Sequence, residues 1–299
     1  MSVLGIDVGA SAVKSAVFPE KAEPACRAEE KTADSYGGLK AQIQGIVART
    51  RDARRILAVG IGVPGFIASR ERTIEISPNM RFLDGAALEK DLAAGIGLPV
   101  VVENDANAAA LGEYLALEEP RPDVFVHLTL GSGIGSGVIL DGRIFRGSGG
   151  FAAELGHLLV NSQGRPCGCG NRGCAETESS EAGIVASYRE YSGSQVPLSS
   201  RDVFVRLQQG DEAARQAFQR AGRYLGTLLG QIVYSFNPGR IAIGGGVAAA
   251  GEALLRPARE ELARRVIAKA VERTAIAPAL LGNDAGAAGA AALARQLRP

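Results

Sequence analysis

The stretch Glu154-Leu155-Gly156-His157, followed ten residues on by Cys167-Gly168-Cys169-Gly170-Asn171-Arg172-Gly173-Cys174-Ala175-Glu176, limits this chain more than any other part of it. Three of the four cysteines fall within eight residues, just downstream of one of the two histidines. His157, Cys167, Cys169 and Cys174 are the donor set of a structural, tetrahedral zinc site. The backbone must curl tightly around such an ion, and Gly168, Gly170 and Gly173 can take positive φ between the thiolates. If one ring nitrogen of His157 binds metal, the other is free for a hydrogen bond. The imidazole can then sit between Glu154 and Glu176, facing a polar ligand. Disulfides are the competing use of these cysteines, but a Cys-x-Cys pair is badly spaced for one, and the chain start has no secretory character. Cys26 stands alone and reads as a small apolar residue.

The 299 residues suggest two domains with ample cores, since 46% are apolar. A formal net charge of +1, with both signs interspersed, disfavours nucleic acid and anionic membranes as partners. Met1 to Asp7 has no basic n-region and carries an acid in its first apolar run, so neither a signal peptide nor a membrane span is expected. The expected location is cytoplasmic.

Val3–Asp7 and Val13–Phe18 read as a hairpin turned at Gly9-Ala10-Ser11. Tyr36–Thr50 has helical spacing, and Ile56–Val63 is a strand ending at Pro64-Gly65. Asp84 is expected to cap a helix to about Ala94, Pro99–Val102 to be a strand, and Ala106–Leu117 a helix starting at Asn104-Asp105. The prolines of 118–123 mark the domain boundary. Val124–Leu130, a glycine loop over 131–137 and Val138–Leu140 repeat the first strand, turn, strand unit, so the chain reads as internally duplicated. Asp141-Gly142 suits a type I′ turn. Helices dominate Ser179–Phe236. Arg240–Ile243 is a strand into Gly244-Gly245-Gly246, then come a helix to about Ala270, a strand at Ala279–Leu281 and a helix over 284–297.

Glycine turns closing strands aim successive N–H groups at an anion and suggest a phosphate clamp, although there is no Gly-x-x-x-x-Gly-Lys-Ser/Thr loop. Gly244-x-Gly246-x-x-Ala249 mimics a dinucleotide fingerprint but comes late and without a parallel βαβ series around it. Glu103-Asn104-Asp105 joins an amide to a carboxylate at a helix start. Asp105 there can accept a hydroxyl proton, or can simply cap the helix.

Taken together, Asp7-Val8-Gly9-Ala10-Ser11, Gly62-Val63-Pro64-Gly65, Glu103-Asn104-Asp105-Ala106-Asn107, Leu130-Gly131-Ser132-Gly133-Ile134-Gly135-Ser136-Gly137, the Glu154–His157 segment and the cysteine cluster resemble the ROK family of sugar kinases and repressors over essentially the whole chain. The resemblance implies an α/β, actin-like, ribonuclease-H-type duplicated fold. An N-terminal domain over 1–118 would take back the C-terminal helix 284–299, and a larger domain over 119–283 would carry a zinc insertion at 154–176. ATP and sugar would lie in the cleft. It further implies Asp105 as base, with Gly65, Asn79, Asn104, Glu154, His157 and Glu176 on the sugar. Asp7 would organise Mg²⁺, and Gly9, Ser11, Lys14, Gly131, Ser132, Gly133 and Gly244, Gly245, Gly246 would hold the nucleotide. A homodimer is expected.

Family members commonly read Asp-x-Gly-Gly-Thr-Lys at the first loop, whereas this chain has Ala10, Ser11 and Ala12. Ser11 keeps the hydroxyl. Lys14 lies on the same strand face as position 12, roughly 7 Å along. ATP is the expected donor, with polyphosphate as the alternative that a lysine there brings in. The expected activity is ATP-dependent phosphorylation of a hexose at its 6-hydroxyl, glucose first. N-acetylglucosamine, N-acetylmannosamine or fructose are the alternatives within the family, and a non-catalytic sugar-sensing regulator is the alternative of another class. Such regulators carry a helix-turn-helix before the first hairpin, where this sequence has six residues before Asp7.

Overall fold

Strand β1 (Ser2–Val8) is buried along nearly its whole length, as a central strand covered on both faces must be. The computed structural model describes residues 2–20 and 24–297. The chain forms two compact units, Met1–Arg121 with Gly137–Ala153 and Leu280–Pro299, and Pro122–Ser136 with Glu154–Ala279.

In the first unit β2 (Ala12–Pro19) runs antiparallel to β1, and β3 (Ala25–Lys31) pairs outside it as a mostly exposed, charged edge. Helix α1 (Tyr36–Ala53) starts at Ser35, whose hydroxyl accepts from the Gly38 N–H, and buries Leu39, Ile43, Ile46 and Val47 at helical spacing. Strand β4 (Ile56–Val63) is parallel to β1. A small ribbon of β5 (Phe66–Ile67) and β6 (Ile74–Ile76) precedes α2 (Leu88–Ile96), β7 (Val100–Asn104) and α3 (Asp105–Leu115).

Strand β8 (Val124–Leu130) opens the second set, followed by β9 (Ile134–Leu140) and β10 (Arg143–Ile144). Helices α4 (Ala175–Ser179), α5 (Glu181–Ser192), α6 (Ser200–Gln208) and the long α7 (Glu212–Phe236) come next. Then follow β11 (Arg240–Gly244), α8 (Glu252–Arg265), α9 (Ala268–Glu272), β12 (Ala275–Pro278) and α10 (Ala285–Gln296).

The sheet orders are β3-β2-β1-β4-β7 and β10-β9-β8-β11-β12. Counting strands within each sheet along the chain, both read 3-2-1-4-5. The duplication read from one strand–turn–strand unit therefore extends to whole sheets, each an antiparallel hairpin edge joined to parallel strands. Ligands of such sheets bind beyond the carboxyl ends of the parallel strands.

Helix α10 belongs to the first unit and lies backbone to backbone on it. A Cβ on Gly5 of β1 would fall 2.0 Å from the Ala287 carbonyl oxygen, and one on Gly60 of β4 1.8 Å from that of Ala290. Only glycine permits that approach.

Several elements differ from expectation. Asp84 is not a helix cap: its carboxylate takes the Ser77 N–H at 2.7 Å, and the helix starts later at Leu88. Residues 134–137 are strand rather than loop, so the glycine turn is only 131–133. The helix expected to reach Ala270 ends at Arg265. The last strand is Ala275–Pro278, because the N–H groups of Leu280, Leu281 and Gly282 go instead to the buried Glu113 carboxylate of α3, at 2.6, 2.8 and 3.1 Å. Asp141 and Gly142 have φ of 48° and 75°, as a type I′ turn requires. Among the described residues no helix is long and apolar enough to cross a membrane.

Candidate active site and metal centre

Three parallel strands of the first unit, β1, β4 and β7, end in register, with Asp7 beside Gly62 and Gly62 beside Glu103. The Cβ position at Gly62 lies 3.5 Å from Cα of Asp105 and 3.7 Å from Oδ1 of Asp7, so the end of β4 sits between the two acids. Lys14 is the direct cross-strand partner of Asp7. Helix α10 closes over the group at Gly286, where a Cβ would sit 2.6 Å from the Asp7 carboxyl carbon.

The helix cap belongs to Asn104. Its Oδ1 accepts from the Asn107 N–H at 2.9 Å, while its amide donates to Gly65 O at 3.1 Å and to Asp105 Oδ1 at 3.2 Å. Asp105 is the first helical residue, half-buried, and accepts from the Ala106 N–H at 2.8 Å. With capping assigned to its neighbour, Asp105 is left as a carboxylate whose burial raises its pKa, tempered by the Ala106 N–H. Gly65, Asn104 and Asp105 thus form one corner. Asn79 is exposed on the turn from Ser77 to Met80, and Ser77 ties that turn to the corner by donating to Pro64 O at 2.7 Å.

Gly9 forms the hairpin turn with Ala12, and its carbonyl accepts from the Thr32 hydroxyl at 2.6 Å. Ser11 is exposed at the tip of the turn. Two anchors carried no signal in the sequence. Thr32 is one, and Arg146, which donates to the buried Glu103 carboxylate, is the other.

In the second unit His157, Cys167, Cys169 and Cys174 converge, with their ligand atoms all within 4.8 Å of one another. Cys169 and Cys174 Sγ are 3.7 Å apart, far beyond a disulfide bond, and Cys167 Sγ is 3.5 Å from His157 Nδ1. A tetrahedral ion with Zn–S of 2.3 Å and Zn–N near 2.0 Å needs edges of ~3.8 and ~3.5 Å. The residues fit zinc. Burial and the two neighbouring thiols push the Cys174 thiol up to about 12, so three thiolates here call for a cation. Nδ1 faces the cluster and Nε2 lies 4.0 Å from Glu154 Oε2, the division of ring nitrogens expected from the sequence.

Glycine shapes the loop at two of the three expected positions. Gly170 and Gly173 have positive φ, whereas Gly168 does not. A Cβ on Gly173 would meet Asn161 O at 1.6 Å. The segment is held from beneath by Glu178, fully buried, which binds Arg165 at 3.2 Å, Arg220 at 3.0 Å and the Asn161 amide at 2.9 Å.

Glu176 is not simply presented to solvent. Its Oε2 accepts from the Ile134 N–H at 3.0 Å, directly over Gly133, while Oε1 lies 3.9 Å from Cys167 Sγ. It therefore joins the metal segment to the Gly131-Ser132-Gly133 turn, which closes on itself through Gly131 N–H to Gly133 O at 2.9 Å and leaves Ser132 exposed. The second glycine run lies alongside: Gly244 is in register with Thr129, Gly245 packs on Leu130 O, and Gly245 and Gly246 are exposed.

Asp7 supplies a pH test. Burial first, then the Asp105 charge, raise its pKa from 3.8 to about 6, against the opposing effect of Lys14. Above pH 6 the folded protein carries an ionised carboxylate in an unfavourable place; well below 3.8 the group is neutral whether folded or unfolded. Asp7→Asn should therefore stabilise the ligand-free protein above pH 6 by up to about 3 kcal/mol, with most of the gain lost as pH falls from 6 to 4. Thermal melts between pH 4 and 8 read this. A gain independent of pH would contradict it.

The ROK family model matches residues 3–297. A glucokinase of Halalkalibacterium halodurans is 32% identical over 98% of this chain and 94% of its own length, and one of Streptomyces coelicolor 31% over 99% and 98%. Among solved structures, a ROK family glucokinase from Streptomyces griseus in complex with glucose and AMPPNP superposes with a TM-score of 0.84 at 32% identity, covering 99% of this chain and 100% of that one. With the duplicated sheets, the aspartate corner and the Cys₃His cluster in place, the chain belongs to the ROK family.

Proposed function

We propose that this protein transfers the γ-phosphoryl group of ATP to the 6-hydroxyl of a hexose, with glucose as its sugar. The observation that carries this reading is the corner at Asp105, where Asn104 takes over the helix cap and leaves a half-buried carboxylate, its pKa raised, to accept a proton. The sugar hydroxyl gives its proton to Asp105, its oxygen forms the new bond to γ-phosphorus, and the bond to the bridging oxygen breaks to release ADP. Asn104, Asn79 and Gly65 are the sugar-binding residues this reading gives the first unit, and Glu154, His157 and Glu176 are those it gives the second, each set taken within its own unit.

The turns that expose Ser132 and Gly245-Gly246 suit phosphate oxygens, as does the turn at Gly9 and Ser11. Asp7, a hard oxygen donor beside a second carboxylate, fits Mg²⁺, which needs few protein ligands when phosphates supply the rest; it would neutralise charge on the transferring group. Zinc at His157, Cys167, Cys169 and Cys174 is structural and orders the residues on either side of the cluster. The same reading makes the protein a cytoplasmic homodimer without nucleic-acid or membrane partners, in keeping with its near-zero net charge.

A panel of hexoses with ATP and Mg²⁺, followed by coupled ADP release, should show glucose preferred, and Asp105→Asn should lower kcat by ~10²–10⁴ with little change in sugar affinity. Near-normal turnover in Asp105→Asn would rule out the base. Activity confined to an N-acetylhexosamine or fructose would move the assignment within the family.

Cys169→Ser, or chelation followed by restored Mg²⁺, should raise the hexose KM while leaving the ATP KM nearly unchanged. Protein purified without chelator that contains no zinc, or stripped protein that binds sugar normally, would remove the metal from the account.

A further inference from the structure

We propose that Arg146 is a positioning residue for the reaction: it holds the Glu103 carboxylate in the one orientation that fixes the Asn104–Asp105 corner. The inference rests on the kinase reading above and concerns a residue outside every motif that carries the family resemblance.

The chain of contacts is continuous and lies wholly within the first unit. Arg146 donates from Nε at 2.7 Å and from Nη2 at 2.6 Å to the same oxygen, Oε2 of Glu103. The other oxygen, Oε1, accepts from the Asn104 N–H at 3.0 Å and the Asn107 amide at 3.3 Å. Asn104 in turn caps α3 and touches both Gly65 O and Asp105 Oδ1. One guanidinium thus sets one carboxylate, and that carboxylate sets the backbone and side chain beside the proposed base.

Its burial makes this contact more than a surface ion pair. The Glu103 side chain is 3% exposed and that of Arg146 34%. Losing the partner of a buried charge is costly, whereas replacing such a pair together is often nearly neutral, so the pair serves geometry more than stability. A two-donor grip on a carboxylate also fixes direction, which a point charge does less well.

The grip is part of a larger docking. Arg146 opens the segment that ends at Ala153. Gly150 in that segment packs so closely on Ile67 O that a Cβ would be 2.1 Å away, and Phe151 stacks on Phe66 with ring centroids 4.8 Å apart and planes inclined 22°. Phe66 and Ile67 follow Gly65, whose carbonyl binds Asn104. Segment 146–153 therefore holds the corner from two sides, through Glu103 and through the residues after Gly65.

The test is steady-state kinetics on Arg146→Gln, Arg146→Lys, Glu103→Gln and the double variant Glu103→Gln/Arg146→Gln, with melts to confirm folding. Arg146→Gln should lower kcat about ten- to hundredfold, the scale of a small misplacement of a reacting group, with the ATP KM within about twofold of wild type. Arg146→Lys should recover part of the loss. The double variant, which buries no unpaired charge and so guards against a misfolded single variant, should be no worse than Arg146→Gln alone. Arg146→Gln with kcat within about twofold of wild type, losses that multiply in the double variant, or a lowered melting temperature with unchanged kcat would each overturn the proposal. A wild type inactive on every hexose would sink the kinase reading; an active wild type indifferent to Arg146→Gln sinks only this inference.

Discussion

The first unit depends on a helix lying directly on a sheet, backbone against backbone. With Gly5 and Gly60 beneath Ala287 and Ala290, and a Cβ on Gly289 excluded by Ala108 O at 1.6 Å, α10 is wedged against β1, β4 and α3 at distances no side chain survives. The stripe of alanines and glycines in α10 is the other half of that fit. One consequence is chemical. The same approach brings Gly286 over Asp7 and, through β4, leaves Gly62 between Asp7 and Asp105, so two acids meet at the carboxyl ends of the parallel strands with little to neutralise them except Lys14. Unfavourably placed carboxylates of this kind cluster at functional sites.

The second unit has close glycine contacts of its own, as at Gly173 and Gly226, and adds to them the Cys₃His cluster. The segment carrying the Cys₃His set has little regular structure and is held by Glu178 with its two arginines and by Glu176 reaching the 131–133 turn. That last contact ties the proposed sugar-binding acid to a proposed phosphate-binding turn through a single carboxylate. A zinc ion at the Cys₃His cluster would thus order Glu176 without itself touching a substrate.

Much of this was legible in the residues because the signals were local. The hairpin at Gly9, the helix face at Leu39, Ile43, Ile46 and Val47, and the cysteine spacing each report on a few neighbouring positions. For Asp105 the residues leave two roles, base or cap, and the structure gives the cap to Asn104. What could not be read was long-range. Asp84 looks like a cap until Ser77 claims it, and Leu280 looks like strand until Glu113, 167 residues earlier, takes its N–H. Arg146 sits in a turn-rich stretch with nothing to mark it, and only the fold reveals that its partner is Glu103. Glu176, expected on the sugar, also has one carboxylate oxygen on the Ile134 N–H, a contact no local pattern announces.

The central claim is that the carboxylate at Asp105 serves a hexose 6-hydroxyl and that phosphate ends on that oxygen. Glucose labelled with ¹³C at C6, incubated with the protein, ATP and Mg²⁺, should develop a C6 resonance split by ³¹P at the rate ADP appears, and 6-deoxyglucose should give neither signal nor ADP above background. Phosphate found on another carbon, or ADP released at the same rate with no sugar phosphate formed, would contradict the account.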